Sequence, residues 1–288
     1  MSTREIDRNA AILGSGGMLG RCWAEAFPAA AAHSRAACDI TSADSIAAAI
    51  PQGARIVVNC AAWTDVDGAE ERESDAALVN AVGPGLLAAR CREIGALLVH
   101  YSTDYVFSGL GAEPYRVDDP IEPINAYGRT KAEGERRIRE SGCEHLIVRA
   151  SWLYAPRGKN FVRTIARLCG ERDSLRVVRD QVGRPSSCEQ LVRTTAALVE
   201  AESRGVFHAA DSGQCSWFEF ASAIAERLNP ACRVEPCTSE EFPRPARRPG
   251  YSVLDLSETE RITGPIPEWR TSLDAVLTTI MSEARGGV

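Results

Sequence analysis

The run Ala10-Ala11-Ile12-Leu13-Gly14-Ser15-Gly16-Gly17-Met18-Leu19-Gly20-Arg21-Cys22-Trp23 decides the fold of this chain. Four apolar residues stop at a cluster of glycines and a helix-forming stretch follows, so the order is strand, glycine loop, helix. Glycine lets the backbone approach a pyrophosphate and adopt positive φ. The first turn of the helix adds free N–H groups and the positive end of its dipole. The spacing is GxxGxxG through Gly14, Gly17 and Gly20, with Gly16 in addition; it is not GxGxxG, because Leu19 holds the last place. A plain tight turn uses the same residues, so the weight of the reading falls on what comes after.

Outward from that run, a second strand is expected within Ala29 to Ser34, with Arg35 directly behind it. In a doubly wound sheet that position meets the adenosine ribose, where an arginine accepts a 2′-phosphate and an acidic residue the free hydroxyl. Arg35 therefore favours NADPH, with NADH also possible, and Asp39-Ile40 is placed to reach the adenine. Arg55 to Ala62 reads as a buried strand ending in the small residues Cys60, Ala61 and Ala62, which leave room for a flat ligand. Trp63 to Glu70 reads as a polar loop, and a helix containing Asn80 leads to the buried strand Leu97 to Tyr101. Ser102-Thr103-Asp104-Tyr105-Val106-Phe107 follows, and ligands of open α/β sheets lie beyond the carboxyl ends of strands, so the Thr103 hydroxyl is offered to a site.

Tyr127-Gly128-Arg129-Thr130-Lys131 supplies the chemistry. Residues four apart share a helix face, and a cation within about 4–6 Å lowers a phenol's pKa by roughly one to three units. Of 33 Lys plus Arg only Lys131 and Lys159 are lysines, so a lysine four after a tyrosine is not explained by abundance. Thr103, Tyr127 and Lys131 then present a hydroxyl, a phenol and an ammonium to one carbonyl oxygen.

The totals bound what else is open. A chain of 288 residues predicts one large α/β domain or a domain with a smaller lobe. No apolar run approaches 18 residues and the N-terminus is charged, which predicts a cytoplasmic protein with no membrane contact. The net charge of −6, with no basic block, argues against nucleic acid. Ten scattered cysteines without CxxC predict reduced, mostly buried thiols, and neither they nor the four histidines form a metal ligand set.

With these segments in view, the chain resembles the extended short-chain dehydrogenases/reductases, and in particular the dTDP-4-dehydrorhamnose reductase family, over nearly its whole length. Beyond the segments already quoted, the resemblance rests on Arg149-Ala150-Ser151-Trp152-Leu153-Tyr154, Asn160-Phe161, Asp180-Gln181-Val182-Gly183-Arg184-Pro185 and Arg248-Pro249-Gly250-Tyr251-Ser252. It implies a Rossmann-type doubly wound parallel sheet with a smaller C-terminal substrate-binding lobe. The implied reaction is NAD(P)H-dependent reduction of the 4-keto group of a dTDP-linked 6-deoxyhexose, giving dTDP-L-rhamnose.

On that resemblance Tyr127 donates the proton, Lys131 binds the nicotinamide ribose and lowers the tyrosine pKa, and Thr103 holds the keto oxygen. Gly14, Ser15, Gly16, Gly17, Met18 and Leu19 bind the cofactor together with Arg35, Asp39, Ile40, Cys60, Ala61 and Ala62. Asp104, Tyr105 and Trp152 lie against the sugar, and Arg248 is a candidate for the diphosphate, because a guanidinium binds phosphate oxygens in pairs. Some members dimerise through magnesium held by glutamates; only Glu189 matches such a position here, while Cys22 and Thr279 fall where the others would be. A thiol and a hydroxyl are poor ligands for magnesium, so a monomer or weak homodimer without a bridging metal is expected.

The remaining elements read as helices at Phe161 to Leu168 and Glu189 to Ala201, with a short strand at Leu175 to Val178 and a buried strand at Gly205 to Ala209. The nucleotide-binding domain is assigned to residues 1–150 plus roughly 173–212, and the substrate lobe to roughly 151–172 and 213–288. Residues 243–250, rich in proline and arginine, are expected to close over the dTDP part, and Glu283 to Val288 to fray. The alternatives are the same reduction on a related nucleoside-diphospho-4-keto-6-deoxyhexose, a non-catalytic nucleotide-binding regulatory subunit of the same fold, against which an intact Thr103, Tyr127 and Lys131 argue, and an epimerase or dehydratase, for which the Asp-Glu pair that dehydration uses is lacking here.

Overall fold

The computed structural model describes residues 2–286. Its centre is a six-stranded parallel sheet of β1 (Ala10–Leu13), β2 (Ala31–His33), β3 (Ile56–Asn59), β4 (Leu97–Thr103), β5 (His145–Ala150) and a late strand, Gly205–His208. The order from edge to edge is Gly205–His208, β5, β4, β3, β1, β2. The chain leaves β1 towards β2 on one side and β3 lies on the other. The crevice between the carboxyl ends of β1 and β3 is the point where a doubly wound sheet takes its ligand.

The helices of this half are α1 (Thr3–Asn9), α2 (Met18–Ala26), α3 (Ala43–Ala49), α4 (Val66–Glu71), α5 (Glu73–Ala77), α6 (Gly83–Ile94) and α7 (Ala126–Glu140). Strand side chains alternate, and both faces of the sheet are covered. Ile12, Val58, Val99 and Val148 pack under Leu19 and Trp23 of α2, while Leu13, Val57, Leu98 and Ile147 pack under Ile46, Leu87 and Ile138 from the opposite layer. Such strands read as continuous apolar runs because neither face meets water.

After β5 the chain alternates between two cores. β6 (Leu153–Tyr154) leads to α8 (Phe161–Glu171) and β7 (Ser174–Val178), then β8 (Val182–Gly183), β9 (Ser186–Ser187) and α9 (Cys188–Glu200). The sixth sheet strand is β10 (Gly205–His208), followed by β11 (Cys215–Ser216), α10 (Trp217–Leu228), β12 (Arg233–Cys237), α11 (Ser257–Thr263) and α12 (Trp269–Gly286). Phe220, Ile224, Trp269, Leu273 and Leu277 form a second core with Val162 and Ile165.

Several expectations are corrected. Ser174–Val178, assigned with the nucleotide-binding part, pairs with β12 and buries Leu175 and Val177 in the second core, so that boundary moves past Val178. The apolar strand Gly205 to Ala209 is an edge strand, buried at His208 and only half-buried at Val206 and Phe207. The loop from Trp63 is shorter than expected, because Asp65 accepts a hydrogen bond from Gly68 N at 3.0 Å and starts α4. The tail expected to fray is helical as far as Gly286; Gly287 and Val288 lie outside the described residues.

Candidate active site

Gly14 leaves β1 with φ +76°, and a Cβ there would stand 2.7 Å from Ala61 N, behind β3. Gly20 is equally constrained, since its Cβ would lie 2.2 Å from the Gly14 carbonyl oxygen, so α2 can start only if both positions lack side chains. Gly17 caps α2, and around Gly16 a Cβ would meet nothing within 4 Å. Bare backbone therefore lines a cradle at a helix N-terminus, and these residues fit a dinucleotide pyrophosphate. Arg35 is exposed just past β2. Ile40 is buried, whereas Asp39 spends Oδ1 on Thr41, accepting from its N at 2.9 Å and its Oγ1 at 2.7 Å. Cys60 is half-buried beside the loop, and burial pushes its thiol pKa up, so it sits there as a neutral small side chain.

Thr103 ends β4, and a 3-10 turn, Asp104–Val106, follows at once. The Thr103 hydroxyl caps that turn, accepting from Tyr105 N at 3.1 Å and donating to Asp104 Oδ1 at 3.0 Å. Ser252 donates to the other oxygen, Oδ2, at 2.6 Å. Burial raises Asp104 to about 7, with the Ser252 and Thr103 hydrogen bonds opposing the rise.

α7 carries the phenol and the amine. Asn125 caps it, accepting from Gly128 N at 2.8 Å, and donates through Nδ2 to Arg247 O at 2.9 Å. Tyr127 meets Tyr105 edge-on at 6.0 Å between ring centres, and the Thr103 hydroxyl lies close enough to act on its pKa. Lys131 is 2% exposed; its Nζ lies 2.6 Å from Tyr101 O and 3.3 Å from His100 Nε2. This corrects the expected electrostatics. Burial pushes Tyr127 up to about 12, the Thr103 hydroxyl opposes this, and the Asp104 charge adds to it. Lys131 is lowered to about 8 by burial. Its nitrogen donates to Tyr101 O of β4.

The lobe closes the other side. Trp152 takes φ +49° and stacks on Trp217 at 3.6 Å, while a Cβ on Gly183 would be 2.7 Å from its ring. Residues 243–250 form the expected loop. Arg244 Nη2 and Arg248 Nη2 both pair with Asp67 of α4, at 2.7 Å and 3.1 Å. Arg248 Nη1 is buried with no protein partner among the described residues. A guanidinium held on one side by a carboxylate and free on the other is suited to an anion. Cys22, Glu189 and Thr279 line a different cavity of about 580 Å³, with Gly16 and Met18 on its wall.

The structure thus brings together Thr103, Asp104, Tyr105 and Tyr127, with Lys131 beneath them. Three positions carried no role in the sequence reading. Asp67 anchors the closing loop. Asn80, in a π-helical turn at Leu78–Val82, holds Trp63 N at 2.9 Å and Thr130 Oγ1 at 3.1 Å. His100 contacts Lys131. Only the Ser-Thr-Asp context flagged the stretch around His100, and nothing local flagged the other two.

Residues 8–282 match the family model described as the RmlD substrate binding domain. The chain belongs to that family. A dTDP-4-dehydrorhamnose reductase of Mycolicibacterium smegmatis is 39% identical, the match covering 96% of this chain and 87% of that protein. One from Streptomyces griseus is 41% identical over 91% of this chain and 90% of its own length. A Bacillus anthracis dTDP-4-dehydrorhamnose reductase, solved in complex with NADP, superposes with a TM-score of 0.89 at 35% identity, covering 93% of this chain and 98% of that one. Among the described residues no helix is long and apolar enough to cross a membrane, and no group of three or more His, Cys, Asp and Glu is arranged to hold a metal ion.

Proposed function

We propose that this chain is an NADPH-dependent oxidoreductase that reduces the 4-keto group of dTDP-4-dehydro-6-deoxy-L-mannose to dTDP-L-rhamnose. The observation that carries the reading is the placing of Thr103 and Tyr127 at the carboxyl end of β4, in the same parallel sheet whose β1 runs into the glycine cradle, with β3 between them. NADPH, when bound, supplies the hydride.

The chain's own groups do the rest. The bare backbone of Gly14 to Gly17, the start of α2 and Arg35 hold the dinucleotide, with Cys60, Ala61 and Ala62 leaving space along β3. Thr103 and Tyr127 direct hydroxyls at the keto oxygen, and Tyr127 gives it a proton. A phenol raised by burial stays protonated at neutral pH, as a donor must, and such general-acid assistance contributes about 10²–10⁴-fold. Trp152, stacked on Trp217, offers a flat apolar wall to the sugar, and the unpartnered edge of Arg248 faces the diphosphate. The chain up to Ala150, with α9 and β10, makes the nucleotide-binding half; the second core with β7, α8, α10 and α12 makes the substrate lobe.

NADPH and NADH consumption with dTDP-4-dehydro-L-rhamnose generated in place, in wild type and Tyr127→Phe, tests this. Turnover that collapses in the variant while NADPH still binds establishes the reductase and its acid. Wild type that binds cofactor without turnover sinks the rhamnose assignment.

A further inference from the structure

Met18 and Cys22 stand four apart in the first turns of α2 and so share a face of that helix. Helix α2 packs against α9, and both side chains lie against the core that holds Cys188, the first residue of α9. Cys188 is 0% exposed, whereas Cys22 is half-buried. The open side of Cys22 is the cavity of about 580 Å³ whose wall also carries Gly16, Met18, Arg157 and Glu189. A water molecule takes about 30 Å³ of liquid, so that space admits a reagent built on two oxygen atoms. Among the described residues Cys22 is the one thiol on that wall, and Cys188 stands close enough behind it that each acts on the other's proton affinity.

We propose that Cys22 is an oxidation site for a small peroxide and that Cys188 resolves it, so that a disulfide joins α2 to α9. In the first step the Cys22 thiolate attacks one oxygen of hydrogen peroxide. The S–O bond forms as the O–O bond breaks, and the hydroxide that leaves takes up the proton that Cys22 released, giving a sulfenic acid and water. In the second step the Cys188 sulfur attacks the Cys22 sulfur. The S–S bond forms as the S–O bond breaks, the Cys188 proton goes to the departing hydroxide, and a second water leaves. The two thiols lose two electrons and the peroxide gains them. The site stands apart from the reductase reading and does not rest on it.

The surroundings give the two thiols different parts. The Cys188 thiol lowers the pKa of Cys22; burial and the charges of Glu25 and Glu189 oppose this, and the Arg157 charge aids it. Cys188 is pushed well above the usual thiol range, first by Cys22 and then by burial. The thiolate, which is the reactive form, therefore falls to the sulfur that a peroxide can reach, and the proton stays on the one that it cannot. Arg157 is paired with Glu25 at 3.4 Å and Glu283 at 2.9 Å, which hold its charge beside the cavity. Cys60 of β3 is the third sulfur nearby, and burial first and the Cys22 charge second keep it protonated. Cys169 and Cys232 are the contrast. They also lie side by side, but both are buried in the second core and burial raises Cys169 to about 12, so closeness without access leaves them inert.

The test treats the reduced full-length protein with hydrogen peroxide, blocks the remaining thiols with iodoacetamide and maps tryptic peptides by mass spectrometry. Trypsin separates the three sulfurs, because Arg21 and Arg35 flank Cys22, Arg55 and Arg72 flank Cys60, and Arg179 and Arg193 flank Cys188, where Pro185 protects Arg184 from cleavage. The expected product is a peptide pair joined through Cys22 and Cys188, formed at least about tenfold faster than the Cys169 thiol is lost. In Cys188→Ser the sulfenic acid of Cys22 should persist and be trapped by dimedone, and in Cys22→Ser the Cys188 thiol should survive. Cys22 that stays reduced in the wild type, or that oxidises without bonding to Cys188, overturns the proposal. So does Cys188 that oxidises in Cys22→Ser as fast as in the wild type. If Cys188→Ser does not fold, the wild-type peptide map decides alone.

Discussion

A Cβ at Gly128 would lie 2.1 Å from the carbonyl oxygen of Tyr105, so the first turn of α7 rests directly on the turn that follows β4. That contact sets Tyr127 beside Thr103. The obstacle is backbone, which cannot swing aside, and Gly128→Ala must push α7 away from the site. It is expected to cost about 1–3 kcal/mol in urea denaturation and to lower kcat more than tenfold. Gly85, within α6, is the contrast. The nearest atom to its Cβ would be Arg137 Cδ at 3.4 Å, an ordinary contact, so Gly85→Ala is expected to stabilise by about 0.5–1 kcal/mol with kcat unchanged.

Asp104 gives the protein a pH dependence of known sign. Burial raises its folded pKa from 3.8 to about 7, so between those values the unfolded chain is ionised while the folded one keeps the proton. Stability from this group is therefore lost as pH rises through that window and is level above it. Asp104→Asn removes the ionisation while keeping the shape. Its stability relative to wild type should improve by at least about 1 kcal/mol on going from pH 4.5 to about pH 8, measured by urea denaturation at both. A constant difference would show that Asp104 is ionised in the folded protein at both.

The parts of this architecture that lie in one local run were legible in the sequence, and the parts assembled from distant runs were not. Gly14 to Gly20 announces strand, loop and helix because each step depends on neighbouring residues only. Thr103 and Tyr127 could be paired in advance because both sit at points that a doubly wound sheet brings to one edge. The opposite case is Lys131. Its four-residue spacing from Tyr127 suggested that it would serve the phenol, yet β4 supplies Tyr101 O and His100 Nε2 as its hydrogen-bond partners, a packing fact invisible in the helix itself. Ser174–Val178 went to the wrong half for a similar reason: its partner β12 begins at Arg233, and five alternating residues do not say which strand they will pair with. Asp67 was equally silent, since an aspartate at a helix start needs no further explanation until Arg244 and Arg248 arrive beside it.

Asp67 binds two of the three arginines of the closing loop, Arg244 and Arg248, and accepts from Ala246 N at 3.2 Å, so one carboxylate fixes the loop and the orientation of Arg248. Asp67→Ala is expected to raise KM for the dTDP sugar about tenfold with a smaller change in kcat, as befits loss of a charged hydrogen-bond set used for binding. The KM for NADPH should hardly move. An equal rise in both would indicate a general loosening of α4.

Cys22, Glu189 and Thr279 line one cavity, so the positions that could hold a bridging magnesium do come together, but with a single carboxylate among those three; the cavity's other carboxylate, Glu25, is paired with Arg157 at 3.4 Å. Hard cations require several such oxygens. The sedimentation coefficient is expected to be the same in magnesium and in EDTA. A faster species that appears only with magnesium would establish a metal-bridged dimer in spite of these substitutions.

Behind the site, Arg149 and Glu135 form an ion pair with side chains 1% and 0% exposed, closed by two hydrogen bonds and by Arg149 Nη1 donating to Val117 O at 3.0 Å. Desolvating both charges offsets most of their attraction, so the pair adds little net stability, yet either charge alone is costly. Glu135→Leu leaves a buried guanidinium unpaired and is expected to lose about 3–5 kcal/mol in urea denaturation. The double variant Glu135→Leu with Arg149→Met removes both charges and should recover more than half of that loss. Failure to recover would place the pair's importance in the backbone that Arg149 tethers, the stretch around Val117, and a matching loss from Arg149→Met alone would then be the deciding measurement.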